Sequence, residues 1–150
     1  MILLENRKAR QEYEFLESYL AGIVLDGPEV KSLRNKSGSF TGSYIKVLGN
    51  ELYLLNAQIT PYAFADNHDY DPKRTRKLLL KRREIDTLVE ATSQKGLSLI
   101  PLQFELVGKN IKLRFALARG KKQYERRAEL RKKAIERDIQ REMKSKVRIR

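Results

Sequence analysis

The sequence predicts a mainly β domain with short helices, closed into a small barrel and followed by a basic C-terminal tail. Three observations carry this reading. Apolar and polar residues alternate over several short runs, the period of half-buried strands. Only two segments before the tail carry clear helix signals. Past Arg119 the composition turns abruptly to charge, with almost nothing left to bury.

In chain order, Tyr13–Leu25 is apolar and aromatic enough for one long or bent strand, with Gly22 as a bulge point. Asp26-Gly27-Pro28-Glu29 then reads as a helix start. Asp26 or Gly27 caps, Pro28 suits the first turn, and Glu29 favours the positive end of the helix dipole. Gly38 and Gly42 are expected to end that segment. Tyr44–Leu48 and Glu51–Ile59 form the next strands, joined by Gly49-Asn50 in a tight type II′ turn. Pro61 and the polar run Asp66–Pro72 make a loop. Leu78-Leu79-Leu80 fits either a strand or a helix entry. Arg82–Gln94 is helical, with Ile85, Leu88 and Val89 on one face and Gly96 as the stop. Leu97–Val107 and Ile111–Ala118 close the domain as a hairpin across Gly108-Lys109-Asn110. In the last strand Ile111, Leu113, Phe115 and Leu117 face inward, and Lys112, Arg114, Ala116 and Ala118 outward. Short strands with an inserted helix in so short a chain suggest a barrel of oligonucleotide-binding type over residues 1–118, an open α+β sheet being the alternative.

The balance of charge indicates partners rather than fold. The 150 residues hold 32 Lys+Arg against 19 Asp+Glu, a formal +13, which favours phosphate backbones, anionic surfaces or acidic proteins. Residues 119–150 carry 14 Lys/Arg and 5 Asp/Glu, a net +9, against 18 and 14, a net +4, in the rest. The tail places only Tyr124, Ala128, Ile135 and Ile139 on a narrow helical stripe. It is expected to be disordered alone and helical on a long anionic partner. No cysteine is present, so disulfides and thiolate metal sites are excluded. Glu5 follows Met1-Ile-Leu-Leu at once, and no apolar run nears membrane-spanning length. A cytoplasmic protein without membrane contact is expected.

Enzyme motifs fail in turn. Gly120-Lys121-Lys122 lacks the spacing and the hydroxyl of a phosphate-binding loop, and a single histidine, His68, gives neither a two-histidine zinc site nor a nucleophile's base. Asp66, His68, Asp69 and Asp71 are the one cluster that suits Mg²⁺ and phosphodiester hydrolysis. Turn and cap duties explain it more simply. No cofactor, no metal and no catalysis are expected. The dense run Lys73, Arg74, Arg76, Lys77, Lys81, Arg82 and Arg83 reads equally as an RNA-facing strip or as a solvated face balanced by Glu84 and Asp86. Gly120, flanked by Arg119, Lys121 and Lys122, would let the backbone approach a phosphate. Tyr13, Tyr44, Tyr62 and Tyr124 interleave with these cations, as core residues or as stacking platforms.

Seven phrases in order then resemble one family: Glu5–Tyr13 (ENRKARQEY), Ala21–Arg34 (AGIVLDGPEVKSLR), Leu55–Tyr62 (LNAQITPY), Arg76–Asp86 (RKLLLKRREID), Lys95–Leu102 (KGLSLIPL), Ala116–Lys122 (ALARGKK) and Glu136–Arg141 (ERDIQR). They are similar to the bacterial SsrA-binding (small protein B) family, partners of transfer-messenger RNA in trans-translation. The resemblance implies an oligonucleotide-binding-type barrel that docks on the tRNA-like end of that RNA, where its D-arm meets its T-arm. It implies delivery with elongation factor Tu to a stalled ribosome, and a tail that becomes helical in the decoding centre and message channel. It further implies RNA-binding roles for Glu29, Val30, Lys31, Ser32 and Arg34, for Lys95, Gly96, Leu97 and Ser98, and for Arg119, Gly120, Lys121 and Lys122. Asn6, Arg7 and Lys8 would support them, and Glu29 would accept from base amino groups. Tyr124, Glu125, Arg126 and Arg127 would meet ribosomal RNA, the last three standing where the family carries Asp-Lys-Arg. Gln58 replaces a usual histidine and Ser98 a usual threonine. A monomer is expected.

Overall fold

In the computed structural model the described residues are 1–120 and Arg137. The expectations for Lys121, Lys122, Tyr124, Glu125, Arg126 and Arg127, and for the tail's order and disorder, lie outside them. Residues Met1–Gly120 form one unit. It runs β1 (Ile2–Glu5), α1 (Ala9–Glu12), β2 (Tyr13–Ile23), α2 (Gly27–Arg34), β3 (Gly38–Ser39), β4 (Tyr44–Leu48) and β5 (Glu51–Leu55). The series continues with β6 (Gln58–Ile59), β7 (Arg76–Leu79), α3 (Arg82–Gln94), β8 (Ser98–Val107) and β9 (Asn110–Gly120).

Alternating side chains make a mainly antiparallel sheet, and the sheet buries its apolar face by curling on itself. Seven strands pair in the order β1-β8-β9-β2-β7-β5-β4, and β3 pairs with β6 in a separate two-stranded ladder. No ladder joins β4 to β8, yet the two pack against each other, so the sheet closes into a small barrel of oligonucleotide-binding type. Inside lie Leu33 of α2, Leu88 of α3, Leu52, Leu54, Leu78, Phe104, Leu113 and Phe115, all shut off from solvent. Phe40 stacks on Phe104 at 4.8 Å and Tyr19 on Phe115 at 5.5 Å between ring centroids.

Several details depart from the pattern reading. The irregularity of β2 falls between Phe15 and Glu17, while Gly22 stays in register opposite Leu79, whose Cβ would be 3.2 Å from a side chain there. Gly22 therefore marks a close approach. Helix α2 stops at Asn35 and Lys36, the latter at φ 58°, before either expected glycine. Both Gly49 and Asn50 have positive φ (56° and 61°), which is a type I′ turn. The Glu51–Ile59 run breaks at Asn56, also at positive φ, into β5 and β6. Leu78 resolves as strand. In β9 the alternation fails at its end: Ala116 and Ala118 are buried too. Ala118 joins a second small cluster with Ala9 of α1 and Ile100, with Tyr13, Phe15 and Leu102 at its edge. The same strand continues two residues past Ala118, with Arg119 opposite Glu14 and Gly120 opposite Tyr13.

Gly38 is required by space. A Cβ there would stand 2.6 Å from the Gln58 carbonyl oxygen across the β3–β6 ladder. Gly38→Ala is expected to cost about 1–3 kcal/mol through forced backbone separation, read as a lowered unfolding midpoint in urea. An unchanged midpoint would mean the ladder gives way freely.

Candidate nucleic-acid interface

The first helix places its acid inward. Glu29 sits at the third helical position of α2, where its Oε1 accepts the Asp26 N–H at 2.9 Å. The rest of its carboxylate meets two arginines from the far end of a long loop. Arg76 reaches Oε2 through Nε at 2.8 Å and Nη2 at 2.6 Å. Arg74 Nε lies 3.1 Å from both oxygens, and its Nη2 donates to Oε1. The Tyr70 hydroxyl lies 3.0 Å from both Oε2 and the Ile59 carbonyl, donates to one at a time, and accepts from Arg76 Nη2. The remaining Arg76 donors meet the carbonyls of Ala57, Arg74 and Pro72. Glu29 and Arg76 are 1% and 0% exposed, so every charged atom depends on this geometry.

Proton affinities follow. Burial pushes the Glu29 carboxyl upward, but hydrogen bonds from Arg74, the Asp26 N–H and Arg76, with the Arg76 charge, outweigh it and hold it below 4.5. Burial and the neighbouring Glu29 charge push Tyr70 up to about 12, Arg76 partly opposing them.

The oxygens of Glu29, expected to accept from base amino groups, are occupied and enclosed in this structure. Ser32 is likewise buried, donating to the Thr60 carbonyl at 2.6 Å. Val30 and Leu97 are half-buried against the core. Asn6 is half-buried too. Its Nδ2 donates to the Pro101 carbonyl at 2.8 Å and its N–H to that of Leu102 at 2.7 Å, filling the register shift that Pro101 makes in β8. The exposed members of the set are Arg7, Lys8, Lys31, Arg34, Lys95, Gly96, Ser98, Arg119 and Gly120.

The fold gathers three of the four predicted groups at one end of the barrel. Strand pairing sets Gly120 beside Tyr13 and Ser98 beside Ala118. A groove of 560 Å³ runs between Asn6-Arg7-Lys8 and the Phe40–Tyr44 turn, and a second of 310 Å³ runs past Lys46, Leu97 and Ser98. Tyr13, Tyr44 and Ile100 line both, so the two grooves join along the unpaired seam between β4 and β8. The Ser43 Oγ lining the first is buried with no partner among the described residues. Cations and aromatic rings around an open trench suit a nucleic-acid strand.

The basic run before α3 divides. Arg74 and Arg76 turn inward, and Arg82 meets Glu51, Asp86 and the Asn50 carbonyl. Among the described residues no ion pair involves Lys73, Lys77, Lys81 or Arg83, all of them exposed. Of the loop acids, Asp66 accepts the His68 N–H and Asp71 the Lys73 N–H, each serving its own turn. No group of three or more metal-ligating side chains gathers among the described residues. None of their helices is long and apolar enough to cross a membrane.

Comparison with known proteins settles the family. The SmpB protein family matches residues 3–145. The chain belongs to that family. An SsrA-binding protein of Aquifex aeolicus is 45% identical over 98% of this chain and 94% of its own length. Another from Gloeobacter violaceus is 47% identical over 95% and 94%. Among solved structures, one described as "tmRNA-SmpB: a journey to the center of the bacterial ribosome" matches with a TM-score of 0.68 at 47% identity. It covers 82% of this chain and 87% of that one.

For this SmpB-family chain, Glu29→Gln leaves two arginines facing a neutral group and is expected to cost about 3–5 kcal/mol of stability. The folded pKa of Glu29 lies below its unfolded value, so its contribution is complete above about pH 4.5 and is lost as pH falls through the folded pKa. The gap in unfolding midpoint between wild type and Glu29→Gln should therefore narrow from about pH 6 to about pH 3. A gap constant across that range would contradict the buried ion pair.

Proposed function

We propose that this chain binds SsrA (transfer-messenger) RNA and carries it to stalled ribosomes in trans-translation. The observation that carries this is family membership over nearly the whole chain, with curated relatives named as SsrA-binding proteins. The fold is compatible with it: a barrel whose exposed cations surround an aromatic-lined trench, with a basic run of which four members form no ion pair among the described residues.

Arg7, Lys8, Lys31, Arg34, Lys95, Ser98 and Arg119 contact the tRNA-like end directly, and Gly120, Lys121 and Lys122 continue that contact. Glu29, Ser32 and Asn6 act through position, by fixing α2 and the β1–α1 turn. The residues after Gly120, Tyr124 to Arg127 foremost, engage ribosomal RNA in the decoding centre and message channel. Elongation factor Tu joins the delivery complex, the chain works in the cytoplasm as a monomer, and it acts by docking rather than catalysis.

The test is binding of the full chain to the tRNA-like domain over a salt series. Lys95→Ala and Arg119→Ala are each expected to weaken binding and to lower the salt slope by about 0.7 to 0.9. Wild-type protein that shows no preference for this RNA over duplex RNA of equal length would overturn the reading.

A further inference from the structure

The loop between β6 and β7 carries a residue that the barrel does not use. Phe64 is 88% exposed, more than any other large apolar residue of the described chain, and it joins neither hydrophobic cluster. Its one aromatic neighbour is Tyr62, edge-on at 65° with centroids 5.5 Å apart, which leaves Phe64 ring surface in water. The Lys31 Nζ stands 5.5 Å from the Tyr62 ring centroid, and Arg34 lies one turn further along the same exposed face of α2.

This segment is held rather than loose. Asn67 Nδ2 donates to the carbonyls of Tyr62 at 2.8 Å and Ala65 at 3.1 Å, and the Ala65 N–H returns to Tyr62 at 3.1 Å. Its upstream end is tied to α2 through the Ser32–Thr60 bond, and its downstream end through Tyr70 on Glu29. The loop thus displays an aromatic ring in fixed geometry at no benefit to folding. Among the described residues no carboxylate pairs with Lys31, and Asp66 is engaged by the His68 N–H.

We propose that Phe64, backed by Tyr62 and flanked by Lys31, is a stacking platform for one unpaired nucleotide of SsrA RNA. The base lies on the free face of Phe64, and Lys31 meets its phosphate. An aromatic face with an adjacent cation suits a nucleotide, which offers a π surface and an anion a few ångströms apart. A protein partner would find only one exposed apolar ring here, too little for a buried anchor. The proposal rests on the function given above and adds to it a contact outside the residues that the family resemblance implied.

The chain has no tryptophan, so Phe64→Trp gives the full-length protein a single reporter at this ring. Its fluorescence should be quenched by the tRNA-like domain of transfer-messenger RNA and not by continuous duplex RNA of equal length. Phe64→Ala should weaken binding to that domain about fivefold or more, with Phe64→Trp close to wild type and both unfolding midpoints unchanged. If wild type prefers the tRNA-like domain while the Phe64→Trp reporter stays bright and Phe64→Ala binds normally, the platform is wrong and the proposed function stands. Quenching only by purified small ribosomal subunits would also overturn it, by assigning the ring to ribosomal RNA. Wild type without preference would remove both.

Discussion

A carboxylate that is 1% exposed constrains everything packed around it. Removing a charge from water costs several kcal/mol, so Glu29 is tolerable only where Arg74, Arg76 and the Asp26 N–H converge on it together. These groups come from two places far apart in sequence. The carboxylate is on α2, and the guanidinium groups lie 45 and 47 residues later, just before β7 and at its first residue. Meeting that one requirement fixes α2 on the sheet and closes the long connection from Thr60 to Thr75. It also sets Lys31 beside Tyr62. An unstructured loop of that length would be unusual in so small a domain without such a tie.

The rest of the surface follows from how the barrel closes. Strand β4 has no ladder partner on one side, and the seam it makes with β8 is bridged by packing alone. That seam becomes the trench, with Tyr13 and Tyr44 along it and the β1–α1 cations at one end. Asn6 keeps the rim in place by satisfying the carbonyls that the Pro101 irregularity frees. Small side chains serve the same end: Ala118 packs with Ala9 of α1 and Ile100. Positions that hold the surface and positions that present it are thus different residues.

The bounds of α3 and of β4 were legible because pattern, caps and turn residues agreed. Helix α2 was legible at its start and misread at its end, since Asn35 and Lys36 stop it without a glycine. Strand β1, helix α1 and the two-residue β3 were missed because each is too short to show a period. The burial of Glu29 was not legible, for a deeper reason. An acid in a first helical turn looks the same whether it faces water or the interior, and only the fold brings its arginines to it. The basic run Lys73–Arg83 hid those partners among cations that do face outward. Phe64 passed unnoticed because one aromatic residue in a polar loop carries no pattern. Residue chemistry alone reached nucleic-acid binding. The particular RNA came from the ordered phrases and the family they belong to.

Under the proposed function, Glu29 supports RNA binding through position and not by contact. The most direct test replaces the buried pair with apolar side chains, Glu29→Met with Arg76→Met, leaving the half-exposed Arg74 free to turn to water. Apolar replacement of a buried pair is often neutral or stabilising, so this double variant should fold with near wild-type stability. On the present account it binds the tRNA-like domain of transfer-messenger RNA within about threefold of wild type, a difference of under about 1 kcal/mol. A double variant as stable as wild type whose affinity has nonetheless collapsed would contradict the account and return Glu29 to the RNA.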